Sequence, residues 1–183
     1  MRLTKKEEET VNYYIADAHF GHENIISMCS RPFESVEAMN GAMIERWNRQ
    51  VTGNDTVYIL GDLFYRCADP ESILRQLKGK KHLIIGNHDS SWMNKVDLRK
   101  YFVSVRNMAV ITDGQRALTL CHYPLLSWKK QKKSWMIFGH IHANTDDDFF
   151  PLILQRTATH SLVGHLKAQQ TFSHSPRQWV AQT

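Results

Sequence analysis

Five short apolar runs constrain the fold of this chain more than any other feature of its sequence. Each run leads directly, or through a glycine, into Asp, Asn or His. Short runs rich in aromatic and branched residues, bounded by glycine or aspartate, predict buried strands. The runs and the residues that follow them are Tyr13–Ala16 before Asp17, Val57–Leu60 before Gly61-Asp62, Leu83–Ile85 before Gly86-Asn87-His88-Asp89, Ala117–Cys121 before His122, and Trp135–Phe138 before Gly139-His140.

Helical patterns lie between these predicted strands. The clearest covers Ser35–Gln50, where apolar residues recur on one helical face. A shorter helix is predicted from Asp69-Pro70 to Leu77, because proline suits the first turn of a helix. A third is predicted over Asp97–Tyr101. The apolar residues on the face of the first helix are Val36, Met39, Met43, Ile44 and Trp47.

Strands that alternate with helices predict a layered α/β domain with a largely buried sheet. A hairpin is also expected, because Asp113-Gly114 separates the apolar segments 108–112 and 117–121 and both turn residues tolerate positive φ. Ligands of such sheets bind at the carboxyl ends of the strands. The polar residues that end the five runs are therefore expected along one rim of the molecule.

The length of 183 residues suits one domain with a self-sufficient core. We assign that domain to residues 1–154. Residues 155–183 show no sustained period and no acidic residue, so they are expected to form a divergent or poorly ordered tail. No apolar run approaches the ~20 residues of a membrane span, and the chain starts with charged and polar residues. Three cysteines without a CxxC pair favour reduced thiols and a cytoplasmic protein.

The net charge of +5 raises the question of a nucleic-acid partner. The basic residues form one dense cluster, Lys129, Lys130, Lys132 and Lys133, which we interpret as a solvated loop rather than a phosphate contact. There is no aromatic-interleaved basic face. The composition therefore argues against a dedicated nucleic-acid-binding module, although a nucleotide or nucleic acid stays open as a substrate.

The residues at the strand ends form a metal-binding set. Oxygen and imidazole donors without thiolates suit manganese, iron, zinc, cobalt or nickel. Seven such side chains over-supply one ion, so two ions sharing a bridging carboxylate are expected. The seven are Asp17, His19, Asp62, Asn87, His122, His140 and His142. Gly61, Gly86 and Gly139 each precede a polar residue of the set, where they permit a sharp turn and close approach of a substrate.

The order Asp-x-His, Gly-Asp, Gly-Asn-His-Asp, His, Gly-His-x-His resembles the calcineurin-like metallophosphoesterases, of a small bacterial or phage type. The resemblance covers about Tyr13 to Asn144. It implies a four-layer α/β/β/α sandwich with the active site at the carboxyl ends of the strands. It also implies hydrolysis of phosphoester bonds by in-line attack of a hydroxide that bridges two divalent ions, manganese being expected first.

The resemblance also implies a role for each motif residue. His88 is the catalytic residue, which contacts the phosphoryl group or protonates the leaving oxygen. Asp62 bridges both ions. The remaining ligands are Asp17, His19 and His142 for the first ion, and Asn87, His122 and His140 for the second.

One position departs from the family pattern. Many relatives read Gly-Asp-x-x-Asp-Arg, and the second aspartate orients the catalytic histidine. Here Tyr65 takes that place and Arg66 keeps the basic position, where it is a candidate for phosphate binding. His22 is a second candidate for substrate binding, or a helix cap. Arg31 is a third, or a partner in a surface salt bridge.

The substrate is expected to be a small phosphoester, with a preference for diesters because the chain has no large insertion to build a deep cap. Monoesters, cyclic nucleotides and nucleic-acid ends remain open, as does the oligomeric state. An alternative from another class is a non-catalytic metal-binding scaffold on the same fold that binds protein partners. The presence of all seven presumed ligands and of His88 favours the enzyme.

Overall fold

The computed structural model describes residues 10–142, which fold around two β-sheets. The first sheet is parallel and has its four strands in chain order, with neighbours hydrogen-bonded. In the second sheet, β5 and β6 form an antiparallel hairpin and β7 lies parallel to β6. The strands are β1 (Asn12–Ile15), β2 (Thr56–Leu60), β3 (Lys80–Ile84), β4 (Phe102–Arg106), β5 (Met108–Asp113), β6 (Arg116–Cys121) and β7 (Ser134–Ile137).

Five helices connect or precede the strands of the first sheet. The two longest begin as their sequences predict: the Ser35 hydroxyl accepts the backbone N–H of Ala38, and the Asp69 carboxylate accepts that of Ser72. Pro70 occupies the first turn, where its missing N–H costs nothing. The helices are α1 (Ile25–Met28), α2 (Val36–Gln50), α3 (Pro70–Gln76), α4 (Ser90–Met93) and α5 (Leu98–Tyr101).

The apolar side chains form three packed clusters. Alternate residues of the first sheet point to opposite faces, as a strand period of two requires. One face packs against the helices in the largest core cluster, which includes Ile15, Ile59 and Trp47. The other face packs against the second sheet, through residues such as Leu60 and Leu120.

The outer face of the second sheet carries a third, smaller cluster around Met136 and Phe138, against which Trp128 packs. Within residues 10–142 all five helices lie in the chain before this sheet begins. The order helix, sheet, sheet is thus that of the predicted α/β sandwich. The second helical layer of that prediction is not among residues 10–142, and the predicted tail at 155–183 lies outside the described residues.

The predicted strands, the three predicted helices and the Asp113-Gly114 hairpin are all present. The sequence analysis missed β4, which is the edge of the first sheet. Of its side chains only Phe102 is buried, and Val103 is 63% exposed. An edge strand with one buried side chain has no continuous apolar run, so the hydrophobic pattern of its sequence does not predict a strand. Across residues 10–142, no helix has the length and apolarity needed to cross a membrane.

Candidate metal centre

The carboxyl ends of five strands meet at one rim of the molecule. The strands β1, β2 and β3 run parallel, and β6 runs parallel to β7, so each pair of neighbours delivers its following loop to the same edge. The hydrogen bonds across this rim join the loops directly: Gly139 N–H donates to the His122 carbonyl at 3.0 Å, and Asp17 N–H donates to that of Gly61 at 3.1 Å. The structure brings together all seven residues predicted as ligands.

The first group of donors is Asp17, His19 and His142, whose ligand atoms all lie within 4.8 Å of one another. The Nε2 atoms of His19 and His142 are 3.3 Å apart. The His142 Nε2 atom is also 3.9 Å from Asp17 Oδ1. Asp17 and His19 are buried and His142 is half-buried, so an ion held here would be largely shielded from water.

The second group is built around the Asn87 side chain. Its Oδ1 atom lies 2.9 Å from His122 Nε2 and 2.9 Å from His140 Nδ1. His122 is fully buried, and its Nδ1–H donates to the Leu60 carbonyl at 2.8 Å. That hydrogen bond sets the tautomer and leaves Nε2 with a lone pair directed at the rim.

Asp62 lies between the two groups. Its Oδ2 atom is 3.9 Å from His19 Nε2 and 3.5 Å from His122 Nε2. A second set of ligand atoms within 4.8 Å of one another comprises Asp17, Asp62 and His122, so the carboxylates link both histidine groups. This is the position that a shared carboxylate requires.

The chemistry of the donor set fits divalent cations. Within residues 10–142, the buried Asp17 Oδ1 atom has no hydrogen-bond partner. The Nε2 lone pair of His122, whose ring is fully buried, faces the Asn87 Oδ1 atom, which is also an acceptor. Buried acceptors without donors are costly, and a cation between them removes the cost.

The pKa values of the histidines in this set also favour metal binding. Burial lowers the pKa of His19 to about 2, and the neighbouring His142 adds to the shift. Burial also lowers the pKa of His142 and of His140. These imidazoles are therefore neutral at physiological pH, which is the form that binds metal. Burial raises the pKa of Asp17 to about 7, and the neighbouring carboxylates of Asp62 and Asp89 also raise it.

Five of the seven candidate ligands have a left-handed backbone. Residues other than glycine rarely adopt positive φ, and such conformations cluster at functional sites. Nothing in the apolar pattern of the sequence signals this conformation. The residues and their φ values are Asp17 (53°), His19 (52°), Asp62 (53°), His140 (73°) and His142 (48°).

The three motif glycines make room for the donors themselves. A Cβ atom on Gly61 would overlap the His122 ring, and one on Gly86 would overlap the Asp62 carboxylate. A Cβ atom on Gly139 would lie 2.5 Å from Asp17 Oδ2. The group that approaches each glycine closely is a candidate ligand from another loop of the rim, whereas the expected approach of a substrate stays a prediction.

Asp89 is a site residue whose role the sequence analysis missed. It is fully buried, and one carboxylate oxygen accepts the N–H groups of Asp62 at 3.0 Å and Gly86 at 2.8 Å. The other oxygen accepts the N–H of Leu63 at 3.1 Å and the indole N–H of Trp92 at 2.8 Å. The sequence feature that could have predicted this role is its place in the motif Gly86–Asp89, because a carboxylate buried there requires hydrogen-bond donors.

His88 lies at the edge of the donor set. Its backbone N–H donates to Asp62 Oδ1 at 2.9 Å, which turns the chain so that the ring stands over the rim. Its Nε2 atom is 3.9 Å from Asp62 Oδ2, and the side chain is 39% exposed. The ring is thus near the candidate ligands and open to a bound molecule.

Two of the three residues predicted to bind substrate lie beside Tyr65, whose ring contacts the His88 ring at a centroid distance of 4.8 Å. The His22 ring packs on the Tyr65 ring with a centroid distance of 4.0 Å, and the Arg66 guanidinium lies 5.4 Å from the Tyr65 centroid. Arg66 is exposed and His22 is half-buried. His22 also accepts the backbone N–H of Ile25 through its carbonyl, at the start of α1.

The structure corrects the interpretation of Arg31 as a substrate clamp or a surface salt bridge. The side chain is 4% exposed, and its terminal nitrogens donate to the Ala18 carbonyl at 3.0 Å and the Asp17 carbonyl at 3.2 Å. The guanidinium therefore lies behind the loop that carries Asp17 and His19. Its role there is to hold that loop, because its donors are directed at backbone oxygens.

The sequence model of the calcineurin-like phosphoesterase family matches residues 13–178. The chain therefore belongs to the calcineurin-like phosphoesterases, a family of metal-dependent phosphoester hydrolases.

The chain is similar in sequence to two curated proteins, one archaeal and one from a phage. The uncharacterized protein MJ1445 of Methanocaldococcus jannaschii is 37% identical over 140 residues, which cover 75% of this chain and 72% of that protein. The Gene 66 protein of Mycobacterium phage L5 is 24% identical over 173 residues, covering 79% and 80% respectively.

Among solved structures, the protein of unknown function AQ665 from Aquifex aeolicus is similar, with a TM-score of 0.53 and 30% identity. That match covers 63% of this chain and 62% of the Aquifex chain. The α/β fold of the family is thus shared with a known structure.

Proposed function

We propose that the protein hydrolyses phosphoester bonds with two divalent cations bound at the rim. Asp17, His19 and His142 would hold one ion and Asn87, His122 and His140 the other, with Asp62 shared between them. The observation that supports this proposal best is the position of the Asp62 carboxylate, whose Oδ2 atom lies within 3.9 Å of histidines from both groups. When bound, the two ions would supply an activated water at neutral pH and neutralise charge on the phosphoryl group.

The side chains of the protein have distinct tasks in this reaction. Asp62 and Asp17 place negative charge at the rim, and the buried neutral imidazoles leave their lone pairs for the ions. His88 stands outside the ligand groups, where it would donate a proton to the leaving oxygen. Arg66, which is exposed, would bind a phosphate oxygen. His22 would line the same side of the substrate.

The substrate class we propose is a small phosphodiester, a nucleotide among the candidates. The described rim has no enclosing cap, and His88 is accessible, which suits a substrate with two ester groups that extend out of the site. Manganese is the metal we expect first, because oxygen and imidazole donors without thiolate suit it, with iron, zinc, nickel and cobalt as the other candidates. Free cysteines at positions 29, 67 and 121 support a cytoplasmic, reducing environment.

The test compares hydrolysis of an aryl phosphodiester with that of the matching monoester, after loading the metal-free protein separately with each candidate metal. Bound metal is counted by mass spectrometry of the desalted protein. We expect two ions per chain and faster turnover of the diester. Binding of two ions without hydrolysis of either ester would favour the scaffold alternative. Binding of one ion or none would contradict the metal assignment.

A further inference from the structure

The orientation of the His88 ring needs an explanation, because no hydrogen bond fixes it. Within residues 10–142 its ring nitrogens accept and donate no hydrogen bond, and the nearest carboxylate oxygen, Asp62 Oδ2, is 3.9 Å away. The side chain is 39% exposed. An exposed histidine without such a bond samples several rotamers, and a proton donor must be held in one.

Two rings contact the imidazole of His88: that of His19, at a centroid distance of 5.6 Å, and that of Tyr65, which is closer. The centroids of the Tyr65 and His88 rings are 4.8 Å apart and their planes meet at 85°, which is the edge-to-face arrangement that aromatic pairs prefer. The contact limits rotation of the imidazole about its side-chain torsions. It also leaves the ring nitrogens free, whereas a hydrogen bond would occupy one of them.

Tyr65 is itself held firmly enough to act as a support. Its backbone N–H donates to the Phe20 carbonyl at 3.0 Å, next to the bridge that pairs Phe20 with Phe64. On another side its ring packs against His22, at a centroid distance of 4.0 Å. Among the described residues, the Tyr65 hydroxyl has no hydrogen-bond partner, so the ring and not the hydroxyl makes the contacts.

We propose that Tyr65 is a positioning residue for His88, which it holds for proton donation by an edge-to-face ring contact. This inference rests on the proposed function, in which His88 acts on the leaving oxygen. It leads to two expectations. A phenyl ring should suffice at position 65, and the ring should affect turnover only through His88.

The first experiment is a double-mutant cycle on the manganese-loaded enzyme with a diester whose leaving group is poor. We expect Tyr65→Ala to lower kcat about tenfold, the scale of a strong aromatic pair, with KM little changed. Tyr65→Phe should keep turnover within about twofold. In the His88→Ala background, Tyr65→Ala should have no further effect, because the group it positions is gone.

The second experiment detects the ring contact between Tyr65 and His88 by NMR, independently of turnover. In zinc-loaded protein, the ring protons of His88 are assigned in NMR spectra by their loss in His88→Ala. The Tyr65→Ala substitution should shift these resonances and broaden them through rotamer exchange, whereas Tyr65→Phe should leave them close to wild type. Tyr101→Ala is the matched control, since Tyr101 ends α5 and its hydroxyl donates to the Glu71 carboxylate at 2.7 Å. Thermal unfolding of every variant verifies the fold.

Three outcomes would overturn the proposal. A loss in Tyr65→Phe equal to that in Tyr65→Ala would assign the role to the hydroxyl. An equal loss with and without His88 would show that Tyr65 acts on substrate or on the fold. Unshifted His88 resonances in Tyr65→Ala would show that the contact is absent. If the wild-type protein hydrolyses no ester with any metal while the resonances shift as expected, the proposed function fails and the positioning of His88 by Tyr65 stands.

Discussion

The carboxylate of Asp89 accepts the backbone N–H of Asp62 at 3.0 Å, and through this bond the loop after β3 holds the loop after β2. The same oxygen accepts the N–H of Gly86 at 2.8 Å. The central carboxylate of the candidate metal centre is therefore placed by a second carboxylate that lies beneath the rim. Outer groups of this kind commonly decide how well a metal site is formed.

Replacing Asp89 should weaken both the fold and the metal centre. In Asp89→Asn, an amide N–H₂ group would face backbone N–H donors, and we expect the free energy of unfolding to fall by about 1–3 kcal/mol. Metal affinity should fall about 10–100-fold. Urea unfolding and metal titration measure the two effects. Asp69→Asn is the control, because asparagine caps a helix as well as aspartate does; an equally small effect of both substitutions would contradict the role of Asp89.

Replacing Asp62 should damage activity more than any other single change among the candidate ligands. The Asp62→Asn variant removes the negative charge that lies between both histidine groups, so two ions there would repel each other with less compensation. We expect a loss of turnover of at least about a hundredfold and fewer than two ions per chain. Glu45→Gln breaks an exposed ion pair with Arg49 and should change neither quantity. Wild-type metal content and turnover in Asp62→Asn would refute the shared role.

Removal of the His88 side chain should leave metal binding intact. His88→Ala should retain two ions and lose ~10²–10⁴ in turnover, the usual contribution of a positioned acid or base. The deficit should shrink for esters with an activated phenol as leaving group, since such a group departs without a proton. Equal losses on good and poor leaving groups would point to charge stabilisation instead. Loss of one ion would make His88 a ligand.

Alanine at Gly61 should be strongly unfavourable. The glycine has φ +86°, and a Cβ atom there would overlap the His122 ring and the Gly86 backbone. We expect Gly61→Ala to lower the free energy of unfolding by about 2–3 kcal/mol and to reduce metal binding. Gly41→Ala in α2 is the matched control, because no atom lies within 4 Å of the added Cβ. That change should stabilise the protein by about 0.5–1 kcal/mol. A similar response of both variants would contradict the packing argument.

The strands and helices that position the site are predictable from local sequence patterns. Apolar runs specify strands locally, and in parallel neighbours the residue after each run must emerge at the same edge. This is why the polar residues after β1, β2 and β3 could be predicted to share a rim. The helices α2 and α3 were equally readable, because the Ser35 and Asp69 caps and the first-turn Pro70 act within a few residues.

Which side chains face one another depends on the packing of segments that are far apart in the chain. His19 and His142 are 123 positions apart, and their contact depends on how the two sheets pack. The left-handed backbone of the ligand loops, the four N–H groups around Asp89 and the burial of Arg31 have the same origin. The ring contact between Tyr65 and His88 also joins separate loops. Such contacts join segments that are far apart in the sequence, and the local periodicity of apolar residues does not predict them.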